Sequence, residues 1–215
     1  MPIIKTNITA PAIIRAAKGP SPLAQKVVSG NHLQGCRQML SLACGIALDE
    51  AFIVDHCDIS ILGVDLDDTI LADAKKKETD RLTFLKHDVM QMFPFTRTFD
   101  SVYSRNLLHY FNTSQQKQIL SHIYSLLKPG GLLIFQLKAK ADYFYVDPET
   151  KRIEQSDGMI YFPSIGYSRN HLDKCEVEAL LSAAQFVIEE LYVTNEYLYE
   201  DSHQSTLLNC FARKF

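Results

Sequence analysis

Asp65 follows Gly45 by twenty residues, and each stands near the end of a short apolar run, "QMLSLA" (38–43) and "ISILGVD" (59–65). That interval lets an acid reach a ribose diol, because one carboxylate accepts two hydroxyl hydrogen bonds at once. Asp88, closing "LTFLKHD" (82–88), can accept from an adenine amino group while the Val89 amide donates to a ring nitrogen. Asp49 and Glu50 fall in the first turn of the helix that follows Gly45. Bare amides and the helix dipole would otherwise favour a pyrophosphate there. A carboxylate about 5 Å from a phosphate costs about 3 kcal/mol at an effective dielectric near 20. Asp65, Asp67, Asp68 and Asp88 extend an acidic rim around the same place.

The ligand these residues imply is adenosine-like, carries no phosphates and tolerates positive charge. S-adenosylmethionine, a sulfonium cation, has those properties. Ordinary dipole compensation, with Asp49 and Glu50 turned to solvent, explains the same two acids without a ligand.

The elements that must position these groups alternate along the chain. Strands at 38–43, 59–65, 82–88, 99–104 and 132–138 are expected, with helices from about Leu48 to His56, Asp68 to Glu78 and Thr113 to Leu127. "KPGG" (128–131) reads as a turn, with Lys128 and Pro129 serving only that turn. Short apolar strands alternating with amphipathic helices mean βαβ units and a parallel sheet. A helix over 172–185 leads to two β-rich runs, 186–194 and 206–214, that read as an antiparallel pair at the sheet edge. In such a sheet the ligand lies at the carboxyl ends of the strands, where the strand order reverses. Ala43, Cys44, Gly45, Asp65, Leu66, Asp88, Val89, Ser104, Arg105 and Asn106 occupy those ends and are the candidate cofactor residues.

At 215 residues with 47% apolar composition, the chain suits one α/β domain with a full core. A net charge of −3 suggests no nucleic-acid partner. Five widely spaced cysteines, Cys36, Cys44, Cys57, Cys175 and Cys210, contain no C-x-x-C pair. They point to a reducing, cytoplasmic setting with neither a disulfide frame nor a metal site. No run approaches the length of an integral membrane segment. Residues 1–37 form an arm whose first acid comes only after it, at Asp49, while Lys5, Arg15, Lys18, Lys26 and Arg37 precede. Pro11 and "KGPSP" (18–22) divide this arm into two helical pieces, the second opening at Ser21 or Pro22. It reads as a helical cover for the sheet edge, with a basic lid, a membrane-touching helix or a targeting segment as alternatives.

"MLSLACGIA" (39–47) resembles the first motif of the class I S-adenosylmethionine-dependent methyltransferases. "LGVDLDDTILADAKKK" (62–77), "LTFLKHDVMQMFPF" (82–95), "TFDSVYSRNLLHYF" (98–111) and "LLKPGGLLIF" (126–135) are similar to the motifs that follow, in the same order. The likeness covers roughly residues 20–138, and the strand pair carries it to the end. "GPSPLA" (19–24) and "LKAKADYFY" (137–145) also resemble the branch that includes tellurite-resistance-type small-molecule methyltransferases. The resemblance implies a Rossmann-like, seven-stranded, mostly parallel sheet with helices on both faces, spanning 38–215 with a substrate-side insertion at 139–170. It implies methyl transfer from S-adenosylmethionine, leaving S-adenosylhomocysteine, to a small-molecule acceptor.

The sequence departs from the family pattern at Ser41, where an acid is usual and helps position the glycine loop and the methionine amino group. Ala43 and Ala47 stand where glycines are usual; they are harmless if Ala43 is still in the strand and Ala47 already helical. These departures leave open a catalytically silent, methyltransferase-like binding module. An NAD-dependent oxidoreductase is opposed by the missing second glycine and the acidic helix tip.

Displacement at a sulfonium methyl needs alignment above all, so a general base is optional. His109 is the candidate base, with a packing role as the alternative. Arg105 and Asn106 are placed to meet the cofactor's methionine end or the acceptor. In the insertion, Tyr143, Tyr145, Tyr161 and Tyr167 are candidate substrate residues forming an aromatic lid, with Phe144, Phe162, Arg169 and His171 nearby. A self-contained hairpin around "DPETKRIEQSDG" (147–158) is the alternative.

Overall fold

The computed structural model describes residues 19–96, 98–198 and 203–215. The first helical piece of the arm, with Lys5, Pro11, Arg15 and Lys18, lies outside the described residues. The second is α1, Pro22–Ser29, with Pro22 at its first position and Ser21 as N-cap. The alternation follows as β1 (Gln38–Leu42), α2 (Leu48–His56), β2 (Ser60–Asp65), α3 (Asp68–Ala74), β3 (Leu82–Lys86), β4 (Phe99–Arg105), α4 (Thr113–Leu126) and β5 (Leu127–Lys138). The insertion holds a short helix, α5 (Tyr143–Val146), and the strands β6 (Ile153–Glu154), β7 (Ile160–Phe162) and β8 (Tyr167–Arg169). The chain then forms α6 (Lys174–Ala183), β9 (Phe186–Leu198) and β10 (His203–Lys214).

Seven strands form one sheet in the order β3-β2-β1-β4-β5-β10-β9, and β6-β7-β8 form a separate antiparallel sheet. β1 pairs in parallel with both β2 and β4, so the order reverses between β1 and β4. β10 runs antiparallel between β5 and β9, which closes the edge as expected. The middle strands are buried on both faces because helices cover both, which is why they read as continuous apolar runs.

Side-chain alternation along β1 divides the core. Leu40 and Leu42 join Val102, Leu133, Ile119, Ile123, Val177 and Leu181 beneath α4 and α6. Met39 joins Leu23, Val27, Ile53, Ile61, Tyr103 and Phe211 beneath α1 and α2. Helix starts are chemically marked: Asn112 with Gln115, and Asp173 with Glu176, form capping boxes on α4 and α6. Asp67 caps α3 through the amides of Thr69 and Ile70.

Three boundaries differ from the sequence expectation. The helix after β2 ends at Ala74 and continues only as a 3-10 turn, Lys75–Lys77, where three successive lysines repel. "KPGG" is not a separate turn but part of β5, absorbed by a register irregularity between Phe99 and Ser101, with Gly130 at φ 72°. The final strands run longer than their apolar cores, because β-ladder pairing continues through polar residues as far as the Leu198–His203 pair.

Asp49 fastens the outer layer. It is buried, and accepts from the Ser21 amide (2.6 Å), the Ser21 hydroxyl (2.8 Å) and the Tyr103 hydroxyl (2.7 Å). One carboxylate therefore joins the N-cap of α1, the first turn of α2 and β4. This corrects its placement on a ligand-facing rim: three internal donors occupy it. Asp49→Asn is expected to lower stability by about 2–3 kcal/mol, the scale of hydrogen bonds to a buried charge, in equilibrium urea unfolding.

Candidate cofactor site at the strand-order reversal

The loop from β1 to α2 alternates backbone hand. Ala43, Gly45 and Ala47 all have positive φ, at 54°, 56° and 58°. Ala43 is thus already out of the strand and Ala47 is not yet helical, so neither alanine is harmless as expected. A left-handed alanine costs about 1–2 kcal/mol. The loop is held despite that cost because its amides are occupied. Cys44 N–H donates to Val64 O (3.0 Å), Gly45 N–H to Asp65 Oδ2 (2.9 Å) and Ala47 N–H to Cys44 O (2.9 Å). Lys77 Nζ reaches back to Ile46 O at 2.9 Å and closes the loop from outside.

Asp65 sits at the end of β2 with one oxygen on Gly45 and the other accepting from Asp67 N–H at 3.1 Å. Each oxygen retains a lone pair for a hydroxyl. Burial raises its pKa against the lowering effect of those amide donors, so the carboxyl is partly desolvated before any ligand arrives. Leu66, next along, is 54% exposed, unusual for a leucine at the end of a buried strand. Beyond β3, half-buried Asp88 accepts from Met90 N–H at 2.9 Å, beside buried Val89.

At the end of β4, Ser104 is buried and its hydroxyl has no hydrogen-bond partner among the described residues. Arg105 Nε donates to Gln136 Oε1 at 3.0 Å, and its guanidinium lies 3.6 Å from Glu196. Asn106 takes a left-handed conformation, φ 56°, with its amide on Gln136 O. All ten candidate cofactor residues thus lie at the carboxyl ends of β1 to β4 or in the turns just beyond.

Glu50 behaves unlike its neighbour. It accepts from the Ser41 hydroxyl at 2.5 Å, and burial together with the Asp49 charge pushes its pKa up to about 8. Ser41 lies in β1 between Gly63 and Tyr103 of the flanking strands. The sequence shows both residues but not their contact, which exists only because α2 folds back over β1. Ser21 and Tyr103, partners of Asp49, were equally invisible, being 28 and 54 residues away in the chain.

His109 lies in the 3-10 turn Leu108–Tyr110 after β4 and is fully buried. The Lys138 amide donates to its Nδ1 at 3.4 Å, which assigns the proton to Nε2, and Nε2 has no partner among the described residues. Burial, and after it the charges of Arg169 and Lys138, hold its pKa well below the usual histidine range. The imidazole is therefore held neutral, with its ring enclosed beside the Lys138 amide.

The insertion encloses a second region. A cavity of about 540 Å³ opens between α4, α6 and the small sheet, lined by residues that include Gln116, Lys140, Tyr145, Met159 and His171. Gln116 Nε2 donates to Leu108 O, and Asn170 N–H to His109 O, so the cavity wall is tied to the His109 turn. Of the four candidate tyrosines, Tyr145 lines this cavity, Tyr161 and Tyr167 are half-buried in β7 and β8, and Tyr143 is exposed. Tyr167 accepts from Arg169 at 2.7 Å and packs edge-on against Tyr110. The aromatics therefore do not converge as one lid; the hairpin alternative describes the segment better.

Two outcomes follow. Ala43→Gly should stabilise the protein by about 1 kcal/mol by relieving its left-handed backbone, whereas Ala47→Gly should gain less, because the Ala47 methyl is fully buried; thermal unfolding reads both. His109 and His171 have lowered folded-state pKa values, so their contribution is intact above the unfolded value near pH 6.5 and is lost as pH falls below it. The stability deficit of His109→Gln should accordingly shrink between about pH 7 and about pH 5, measured by urea unfolding at each pH.

A family model described as a methyltransferase domain matches residues 39–131, from β1 into β5. The chain is 32% identical over 171 residues to the sterol 24-C-methyltransferase of Pneumocystis carinii, covering 74% of this chain and 43% of that protein. It is 28% identical over 154 residues to the sterol 24-C-methyltransferase of Saccharomyces cerevisiae, covering 67% of this chain and 40% of that protein. It thus spans less than half the length of these relatives. An S-adenosylmethionine-dependent methyltransferase from Mesorhizobium loti superposes with a TM-score of 0.68 at 19% identity, covering 94% of this chain and all of that one, which shows the shared fold. Strand order, the matched motifs and these likenesses agree: the chain carries a methyltransferase domain with the fold of the class I S-adenosylmethionine-dependent methyltransferases.

Proposed function

We propose that this chain binds S-adenosylmethionine at the reversal between β1 and β4 and directs its methyl group to a small-molecule acceptor. The observation that carries this reading is how the glycine-loop amides are used. Those of Cys44, Gly45 and Ala47 are satisfied internally, which withdraws three loop donors from any pyrophosphate. What remains available is acceptor chemistry from Asp65 and Asp88, with the Leu66 side chain exposed between them as an apolar surface for a purine face. The unpartnered Ser104 hydroxyl adds a buried polar group at the same edge, a fit for a ligand with several hydroxyl and amino groups.

When bound, the sulfonium supplies an activated methyl carbon. The residues of the chain then have positioning tasks. Asp65 orients the ribose and, through Gly45, fixes the loop beneath it. Asp88 and Val89 select the adenine edge. The turn carrying His109 sets the wall between the cofactor edge and the insertion. Alignment of nucleophile, methyl and sulfur can contribute about 7–11 kcal/mol without any proton transfer, which agrees with a buried, weakly basic His109.

The sterol methyltransferase relatives support a small-molecule acceptor. So does the size of the cavity beside Tyr145, within the range that holds small ligands. The silent-module alternative rested on Ser41 and Ala47; the carboxyl of Glu50 beside that serine weakens the first ground, while the left-handed Ala47 keeps the second.

Calorimetry with S-adenosylmethionine, S-adenosylhomocysteine and NADH tests the cofactor reading. Binding of the first two and not the third is expected; the reverse pattern would overturn it. Asp65→Ala should weaken S-adenosylmethionine binding by about 1.5–3 kcal/mol, roughly 10- to 100-fold; unchanged affinity would remove Asp65 from the ribose. Mass spectrometry of a metabolite pool incubated with labelled S-adenosylmethionine reads the acceptor class, and absence of any labelled product despite cofactor binding would favour the silent module.

A further inference from the structure

Two residues that line the cavity beside Tyr145 carry polar atoms for which the fold supplies no hydrogen bond. Gln116, on α4, is fully buried; its Nε2 is committed to Leu108 O, while its Oε1 has no hydrogen-bond partner among the described residues. His171, just past the small sheet, is 2% exposed, and neither ring nitrogen has a hydrogen-bond partner among the described residues. Burial lowers its pKa from the usual histidine value, against the pull of Asp142, so the ring is neutral. Asp142 Oδ1 lies 3.8 Å from Nε2, which favours the ring proton on Nε2 and leaves Nδ1 with a bare lone pair. Gln116 Oε1 and His171 Nδ1 are thus two uncharged hydrogen-bond acceptors. A buried acceptor left without a donor is costly, and a ligand carrying a donor would relieve that cost.

The rest of the lining narrows the ligand. Met159, Leu172 and Leu180 add buried apolar surface. Lys140 is spent on Glu176 at 2.5 Å and Asp173 at 3.7 Å, and Lys117 is exposed, so neither lysine of the lining is an open, buried partner for an anion. None of the ten cofactor-edge residues lines the cavity. Its wall is tied instead to the His109 turn, which follows closely on Asn106 at the end of β4. We propose that the cavity is a specificity subsite for the methyl acceptor, taking the part of that molecule remote from the reacting atom. The part it takes is uncharged, with an apolar body and a hydroxyl or amide N–H that donates to Gln116 Oε1 and His171 Nδ1. The assignment to an acceptor rests on the methyltransferase reading above. Binding energy gained at such a remote group is available to align the reacting end.

Three probes that share one ring test the subsite: benzyl alcohol carries the donor, toluene lacks it, and benzoate replaces it with an anion. Each is titrated into the full chain with excess S-adenosylhomocysteine, and backbone amide NMR shifts read both affinity and place. Benzyl alcohol should bind about tenfold more tightly than toluene and benzoate more weakly than either, with shifts centred on the cavity walls at Gln116, Met159 and His171. His171→Phe keeps a ring against Tyr145 and Phe162; it should erase most of the preference for the alcohol and leave toluene affinity unchanged. Ala179→Trp, at an exposed position of α6 on the cavity wall, should weaken benzyl alcohol and toluene alike by about tenfold or more. Equal affinity for alcohol and hydrocarbon, tighter binding of benzoate, shifts away from the cavity, or no binding of any probe would overturn the subsite, while S-adenosylhomocysteine binding in the same samples leaves the cofactor reading intact. The expected probe ranking without S-adenosylhomocysteine binding would overturn the cofactor reading, and with it the assignment of the cavity to a methyl acceptor. If His171→Phe does not fold, the wild-type ranking and Ala179→Trp decide the matter.

Discussion

The hydrogen bond from the Gly45 amide to the Asp65 carboxylate is the constraint on which the rest of the site depends. It joins the loop after β1 to the end of β2, and so converts two neighbouring strand ends into one rigid corner. Three left-handed residues at 43, 45 and 47 give the loop its path, and two of them are alanines under strain. A chain tolerates such backbone only where surrounding bonds over-determine it. Here the Asp65 carboxylate, Val64 O and the Lys77 ammonium all hold the same few residues. The Cys44, Gly45 and Ala47 amides are spent within the fold, so they hold the loop.

A second layer of buried polar contacts places the helices around that corner. Asp49 pulls the N-cap of α1 and the hydroxyl of Tyr103 to one point, so the arm is part of the wall that supports the loop. Glu50, one residue on, turns the other way toward Ser41. Adjacent acids on one helical turn thus serve different ends, because residues one apart project about 100° from each other around the axis. One ties α1 and β4 to the helix start, and the other ties that start to β1.

The insertion side is built on different principles. The insertion is a small antiparallel sheet with a single-turn helix, backed by a cluster of fully buried polar side chains: His109, Lys138, Asp142, Arg169 and His171. Lys138 donates to Ser205 at 2.6 Å and lies 3.8 Å from Asp142, linking β5, β10 and the insertion. These groups order the connection between the His109 turn and the cavity beside Tyr145. In a reaction governed by alignment, stiffness here serves as well as a base would.

The sequence alone determined the alternation of strands and helices, the antiparallel closing pair and the residues at the carboxyl ends of β1 to β4. Those features are written in local patterns: apolar runs, caps, and the interval from Gly45 to Asp65. The KPGG segment was misread because glycine and proline signal a turn locally, while pairing of Leu127 with Phe99 extends β5 through it. Tertiary structure decided everything that depends on contacts across the chain: the left-handed state of Ala43 and Ala47, the capture of Asp49 by Ser21 and Tyr103, the meeting of Glu50 with Ser41, and the burial that deprives His109 of basicity. A residue's type states which bonds it can make. Which of them it does make, and whether its charge survives burial, is set by neighbours dozens of residues away that only the folded sheet brings together.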